Sequence, residues 1–221
     1  MLIFKDLDRA EKIQLIVAYI LQLILIGSSI LAIYKKNWLT LFLIISTLIL
    51  TFLPAIFRRN FKVFIPIEFD FVIIVFVFTS IFLGEVQGYY THLWWWDVVM
   101  HTSSGILLGI AAFVLIYILN EEEKIHIDMK PGFIALFAFA FAVASGAVWE
   151  IFEYTLDSTI GTNMQASGLV DTMWDLIVDC LGAILISVLG YFYIRRNDSL
   201  LFERFVHRFV RKNPQLFKKK E

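Results

Sequence analysis

A chain of 221 residues that is 59% hydrophobic and only 18% charged, with a mean hydropathy of +0.76, is too apolar for an ordinary soluble domain, and a lipid bilayer is its expected solvent. The formal net charge of −1 gives no reason to expect nucleic acid as a partner, and a single cysteine, Cys180, excludes an intrachain disulfide or a cysteine-based zinc centre. No Pro/Gly/Ser-rich linker, low-complexity tract or internal repeat divides the sequence, so one membrane domain is predicted.

Residues 1–12, MLIFKDLDRAEK, carry mixed charge and read as a cytoplasmic N-terminal segment. The apolar run that follows is too long for a cleaved signal peptide and reads as a retained span. Crossing roughly 30 Å of hydrocarbon at about 1.5 Å per residue takes roughly 20 mainly apolar residues. Six segments qualify, at 13–34, 38–57, 66–86, 97–119, 131–156 and 170–194, joined by links such as KKN, RRNFK and EEEKIHIDMK. The prediction is therefore an all-α, polytopic bundle of about six helices over 13–194. The link between the last two spans, STIGTNMQASG, is polar and contains glycine. With six crossings, 17 of the 19 Lys and Arg residues share one side, leaving Lys35 and Lys36 on the other. Positive charge stays inside, so both termini are expected in the cytoplasm and the chain in the plasma (inner) membrane. The tail, 195–221, resembles a basic amphipathic helix that attracts anionic membrane lipids; a partner-binding role is the alternative.

Span length then forces acids into the bilayer. Counted back from Leu119, the fourth span includes His101 and puts Asp97 at its outer boundary; counted forward from Phe133, the fifth includes Glu150 and Glu153, with Asp157 one turn beyond. Counted back from Ile194, the sixth needs Asp175 and Asp179 inside the helix, with Asp171 near its outer start. Helical spacing puts each set on one face: Asp97 with His101 and Ser104, Glu150 with Glu153 and Asp157, Asp171 with Asp175 and Asp179. Ionisable groups that face lipid are costly, so the three stripes are expected to face one another. Gly105, Gly146 and Gly182 lie on or near these faces and permit close helix approach.

No Lys or Arg occurs between Lys62 and Lys124 or between Lys130 and Arg195, so these carboxylates have no basic partner in their own spans. Like charges in a low dielectric are neutralised by cations or by protons. The expected cofactor is a divalent metal ion, with Asp97, His101, Glu150, Glu153, Asp171, Asp175 and Asp179 as candidate ligands. Oxygen-rich ligation with imidazole suits Mg²⁺, Mn²⁺ or Ca²⁺ and accommodates Zn²⁺ or a carboxylate-bridged iron pair. Taken singly, Asp97 and Asp171 also read as groups at helix N-termini, where the macrodipole favours them. Glu150, Glu153, Asp175 and Asp179 lie too deep for that reading.

Elsewhere the polar residues have plainer readings. Glu68 and Asp70 read as interfacial ion-pairing groups near Arg58, Arg59 and Lys62, and Glu121, Glu122, Glu123, Lys124 and His126 as a solvated link. Tyr89, Tyr90, His92, Trp94, Trp95 and Trp96 read as an aromatic belt at the outer interface, with substrate recognition as the alternative and His92 as an alternative further ligand. Cys180 reads as packing rather than as a nucleophile.

The pattern D-x3-H-x3-G (Asp97, His101, Gly105), then WE-x2-E (Trp149, Glu150, Glu153), then Q-x5-D-x3-D-x3-D-x2-GA (Gln165, Asp171, Asp175, Asp179, Gly182, Ala183) resembles the YjdF family of bacterial inner-membrane proteins. The resemblance covers roughly residues 90–190. A looser similarity extends to VanZ-like membrane proteins, from which the chain departs at Glu153, where that family tends to have glutamine, and at Asp179, where it tends to have asparagine. What the resemblance implies is a multi-helix membrane fold with a shared acidic site.

Three functions fit. The first is a metal-dependent membrane hydrolase or transferase acting on a lipid or lipid-linked substrate at the outer leaflet. His101 is there a ligand or general base, Glu150, Glu153, Asp175 and Asp179 are ligands, one carboxylate serves as general acid, and water is the nucleophile. Ser103 and Ser104 are weaker nucleophile candidates. The second is a transporter of a cation or proton-coupled solute, against which stand the apolar inner halves ILLGIAAFVLIYIL, ALFAFAFAVA and AILISVLGYFYI. The third is an accessory membrane protein with a structural ion site.

Overall fold

The computed structural model describes residues 9–61, 67–121 and 129–196, with residues 209 and 213. The N-terminal segment up to Asp8, Lys62, the charged link from Glu122 to Asp128 and the predicted amphipathic helix beyond Arg196 lie outside these residues, apart from Phe209 and Asn213. Among the described residues the chain is all-helical. Five helices are long and apolar enough to cross a membrane by length and composition, Arg9–Tyr34, Ile67–Val86, Trp96–Tyr117, Pro131–Ile160 and Leu169–Arg195, and a sixth apolar helix, Trp38–Thr51, is shorter. The helices group into two compact units, Met1–His92 and Leu93–Glu221.

In the first unit, α1 (Arg9–Tyr34), α2 (Trp38–Thr51) and α4 (Ile67–Val77) pack on one another, with a core of Leu25, Ala32 and Ile44 against Phe78 and Phe82 of the segment that continues α4. Asn37 starts α2 by accepting the Thr40 N–H at 3.2 Å. The second predicted span is divided: α2 ends at Thr51, Phe52 forms a turn, and α3 covers Leu53–Phe61. Pro54 has no N–H to offer the Leu50 carbonyl, and the Phe52 N–H turns back to Ile49 O at 3.0 Å instead. The third span also departs from expectation, since α4 continues as a π-helix over Phe78–Val86 whose last turn closes with Gln87 N–H on Phe82 O at 3.0 Å. A short helix, α5 (Tyr89–His92), follows, and the Tyr90 ring lies so close over Gly84 that a Cβ there would collide with it. The Ser80 and Tyr90 hydroxyls are hydrogen-bonded at 3.1 Å.

The second unit is a three-helix bundle of α6 (Trp96–Glu121), α7 (Pro131–Ile160) and α8 (Leu169–Arg196), each packed on the other two. Pro131, with its φ preset for a helix, begins α7; Gly161, at φ 78°, ends it in the left-handed region. Gly168, at φ 65°, turns the chain into α8. At one end of the bundle lies an apolar core of Ala112, Phe113, Ile116, Ile134, Ala138, Ile186 and Tyr193. Phe113 is fully buried, stacks on Tyr117 and takes Tyr193 edge-on, in space left by Gly190. The polar stripes occupy the other end.

Candidate functional site

His101 lies in the second turn of α6 and is 6% exposed. One turn earlier on the same helix, Asp97 places Oδ1 at 3.6 Å from His101 Nε2, as an i, i+4 pair should. Glu150 of α7 brings Oε1 to 3.9 Å of the same nitrogen, and Asp175 of α8 brings Oδ1 to 4.0 Å. Three helices thus deliver one carboxylate oxygen each to a single imidazole nitrogen. At the other ring nitrogen, Nδ1 faces Asp179 Oδ2 at 3.4 Å, and Asp179 Oδ1 accepts the Ser104 hydroxyl at 2.6 Å.

Glycine makes this approach possible. A Cβ on Gly105 would meet the Asp179 carbonyl oxygen, one on Gly146 would meet Asp179 Oδ2, and one on Gly182 would sit 2.5 Å from Thr102 O. All three glycines predicted to line the stripes therefore stand where two helices touch, and small residues at such contacts are how packed membrane helices draw close.

Part of this cluster is arranged as a group that could hold a cation. Asp97, His101 and Asp175 each offer a ligand atom, and the three atoms lie within 4.8 Å of one another. Bonds of about 2.0–2.5 Å to one ion put neighbouring ligand atoms about 3.0–3.6 Å apart. The 3.6–4.0 Å spacings around Nε2 reach that range at Asp97 and are slightly wider at Glu150 and Asp175. Glu150 adds a separate sign: it is 4% exposed, and both its oxygens are buried without a hydrogen bond of good geometry, although the Thr172 and Gln165 side chains come near enough to influence it. A buried carboxylate in that condition is costly unless a cation or proton satisfies it.

Glu153 and Asp171 flank the cluster. Glu153 is buried, its Oε1 accepts the Trp149 indole N–H at 2.8 Å, and it lies within electrostatic reach of Glu150, His101 and Asp97. Asp171 is half-buried within reach of Asp97 and His101, and its Oδ2 accepts the Ala166 N–H at 3.0 Å. Asp157, the outermost acid of its stripe, is otherwise engaged: it accepts the Thr162 hydroxyl at 2.5 Å, the Met164 N–H at 2.8 Å and the Gln165 N–H at 2.9 Å. This clasps the loop between α7 and α8 and sets Gln165 to donate to the Thr172 hydroxyl at 2.7 Å. Sequence reasoning missed the clasp and Thr172. A signal was present, because Asp157 sits one turn before Gly161, where a carboxylate reaches the backbone beyond the helix end.

His92 belongs to the first unit, is exposed, and donates from Nδ1 to Gly88 O at 2.6 Å. Trp94 and Trp95 are both exposed.

Comparison with known proteins gives two matches. A family described as "Predicted membrane protein (DUF2238)" matches residues 13–196, which takes in the site and most of the first unit. An uncharacterized protein of Thermotoga maritima is 32% identical over 130 residues, covering 57% of this chain and 64% of that protein. The chain thus spans slightly less than two thirds of that relative's length. No solved structure matches the chain significantly.

Proposed function

Because the chain belongs to the DUF2238 family of predicted membrane proteins, we propose that α6, α7 and α8 build the divalent-metal site of a multi-pass inner-membrane hydrolase or transferase acting on a lipid or lipid-linked substrate at the outer leaflet. The observation that carries this reading is the convergence of Asp97, Glu150 and Asp175 on His101 Nε2 at 3.6–4.0 Å, with Glu150 otherwise unsatisfied. The YjdF-like resemblance is compatible with this family, whereas the comparisons lend no support to the VanZ-like one.

In this reading Asp97, His101 and Asp175 are the primary ligands, Glu150 closes the set, and Glu153 and Asp171 surround it. A bound divalent ion supplies polarisation of a phosphoryl or carbonyl oxygen and an activated water. The chain's own groups do the rest. Asp97, with 29% of its side chain exposed, stands on the open side where a headgroup approaches, while Asp175 and Glu150 exclude water from behind. Glu153, buried beside the ligand set and steadied by Trp149, would take the proton of the attacking water and return it to the leaving group. Both termini lie in the cytoplasm, and the basic tail binds anionic lipid.

The same bundle favours surface chemistry over transport. From Thr102 to Asn120, Pro131 to Trp149 and Cys180 to Ile194 the three helices carry no Asp, Glu, Lys, Arg or His, and Phe113, Ile134 and Ile186 fill the space between them. A lipid profile of cells lacking or overproducing the protein, taken with metal analysis of the purified chain, tests the proposal. Accumulation or loss of a defined lipid species in a metal-binding protein supports it. An unchanged lipid profile together with cation flux in proteoliposomes overturns it in favour of transport.

A further inference from the structure

We infer that Asp179 is a positioning residue rather than a ligand: it accepts the His101 Nδ1–H, so that Nε2 alone is presented to the cation. The inference rests on the metal reading above and assigns unlike roles to acids that the sequence pattern makes look alike.

The two ring nitrogens have different surroundings. Nδ1 has one carboxylate oxygen in hydrogen-bond geometry, Asp179 Oδ2 at 3.4 Å, whereas Nε2 makes no hydrogen bond and faces three carboxylate oxygens, from Asp97, Glu150 and Asp175, at 3.6–4.0 Å. The imidazole nitrogens point away from each other, so an ion held at Nε2 is out of reach of a carboxylate held at Nδ1. Asp179 also has nothing left to give. Its Oδ1 is engaged by the Ser104 hydroxyl at 2.6 Å, and at 1% exposed it is the most deeply buried acid of the cluster.

Nor can it swing across. Its carbonyl oxygen lies against Gly105 and its Oδ2 against Gly146, so the backbone and the carboxylate are each held by the face of a neighbouring helix. An imidazole that binds a cation through one nitrogen while a carboxylate holds the other N–H is fixed in orientation and tautomer and is a more basic ligand; loss of such a partner costs about 10–100-fold in metal affinity. Ser104 extends the chain by one step, orienting Asp179 as Asp179 orients His101.

The full chain, purified in detergent and stripped of metal, is titrated with Co²⁺ and its visible absorption recorded. Wild type binds the ion; Asp175→Asn, which removes a ligand, abolishes binding. Asp179→Asn is expected to bind about 10–100-fold more weakly with unshifted absorption bands, and Ser104→Ala to weaken binding by less with the same spectrum. In ¹⁵N-histidine-labelled, Cd²⁺-loaded wild type, the His101 signals, assigned through His101→Gln, should report a protonated Nδ1 and a coordinated Nε2. Wild-type affinity in Asp179→Asn overturns the inference, as does loss of binding or a shifted spectrum resembling Asp175→Asn, or coordination through Nδ1. Should Asp179→Asn fail to elute as a folded, monodisperse species, Ser104→Ala and the wild-type ¹⁵N spectrum decide the matter. Failure of wild type to bind any Co²⁺ overturns the metal reading itself and this inference with it.

Discussion

Ser104 on α6 donates its hydroxyl to Asp179 on α8 at 2.6 Å, joining residues 75 positions apart in the polar end of the bundle. The acidic cluster is therefore also a helix–helix contact, and variants must separate loss of a ligand from loss of packing.

Isosteric neutral substitutions make that separation. Asp175→Asn and Glu150→Gln keep side-chain volume while removing charge at two of the oxygens nearest His101 Nε2. Each is expected to abolish metal retention while leaving membrane insertion and gel-filtration behaviour intact. Metal content measured by mass spectrometry on purified protein checks this, and full stoichiometry in both variants would defeat the metal reading.

The glycines test the packing. A methyl group at Gly105 or Gly182 meets a carbonyl oxygen of the facing helix, a backbone atom that cannot rotate away, so Gly105→Ala and Gly182→Ala should each destabilise by about 1–3 kcal/mol. Gly27 in α1 has nothing within 4 Å of such a methyl, and Gly27→Ala should be neutral or stabilising by up to about 1 kcal/mol. Thermal unfolding in detergent compares the three. Equal melting temperatures would mean that α6 and α8 do not approach as closely as described.

Asp157 should behave as a loop clasp. Asp157→Ala strips the acceptor from Thr162, Met164 and Gln165, and solvent screening holds the cost to about 1 kcal/mol. The expected result is faster proteolysis between Gly161 and Gly168 with metal binding retained. Loss of metal at wild-type proteolytic resistance would instead place Asp157 among the ligands.

Topology turns on the second helix. With 14 residues, α2 is about 21 Å long at 1.5 Å per residue, short of the roughly 30 Å hydrocarbon core. Six crossings put both termini on one side and five put them on opposite sides. Fusions of a cytoplasm-active fluorescent protein and a periplasm-active phosphatase to each terminus should report both in the cytoplasm, as the distribution of Lys and Arg requires. Opposite sides would mean that α2 does not cross.

The acidic stripes were legible because residues three and four apart share a helix face whatever that helix packs against, and because span length leaves Glu150, Glu153, Asp175 and Asp179 no route into a loop. Their convergence on one imidazole was legible only as an economy, since facing lipid is costlier than facing one another. The division of labour was not legible. Asp175 and Asp179 are one turn apart on one helix, yet they meet opposite edges of His101, a distinction set by the rotation of α8 against α6. The break at Phe52 was hidden for a different reason: a proline such as Pro54 is tolerated inside many membrane helices, so its presence alone does not end a span. The π-helical segment leaves no mark in a uniformly apolar run, where 3.6- and wider-turn periodicities look the same.

The contacts at Gly105, Gly146 and Gly182 supply a filter for reading other sequences. A relative that keeps every acid but carries a bulkier residue at the position of Gly146 has no room for the carboxylate corresponding to Asp179, and its imidazole loses its anchor. Such a chain would look competent by its charged residues and be incompetent by its smallest ones. Sorting relatives by those three positions should therefore divide working centres from vestigial ones before any protein is purified.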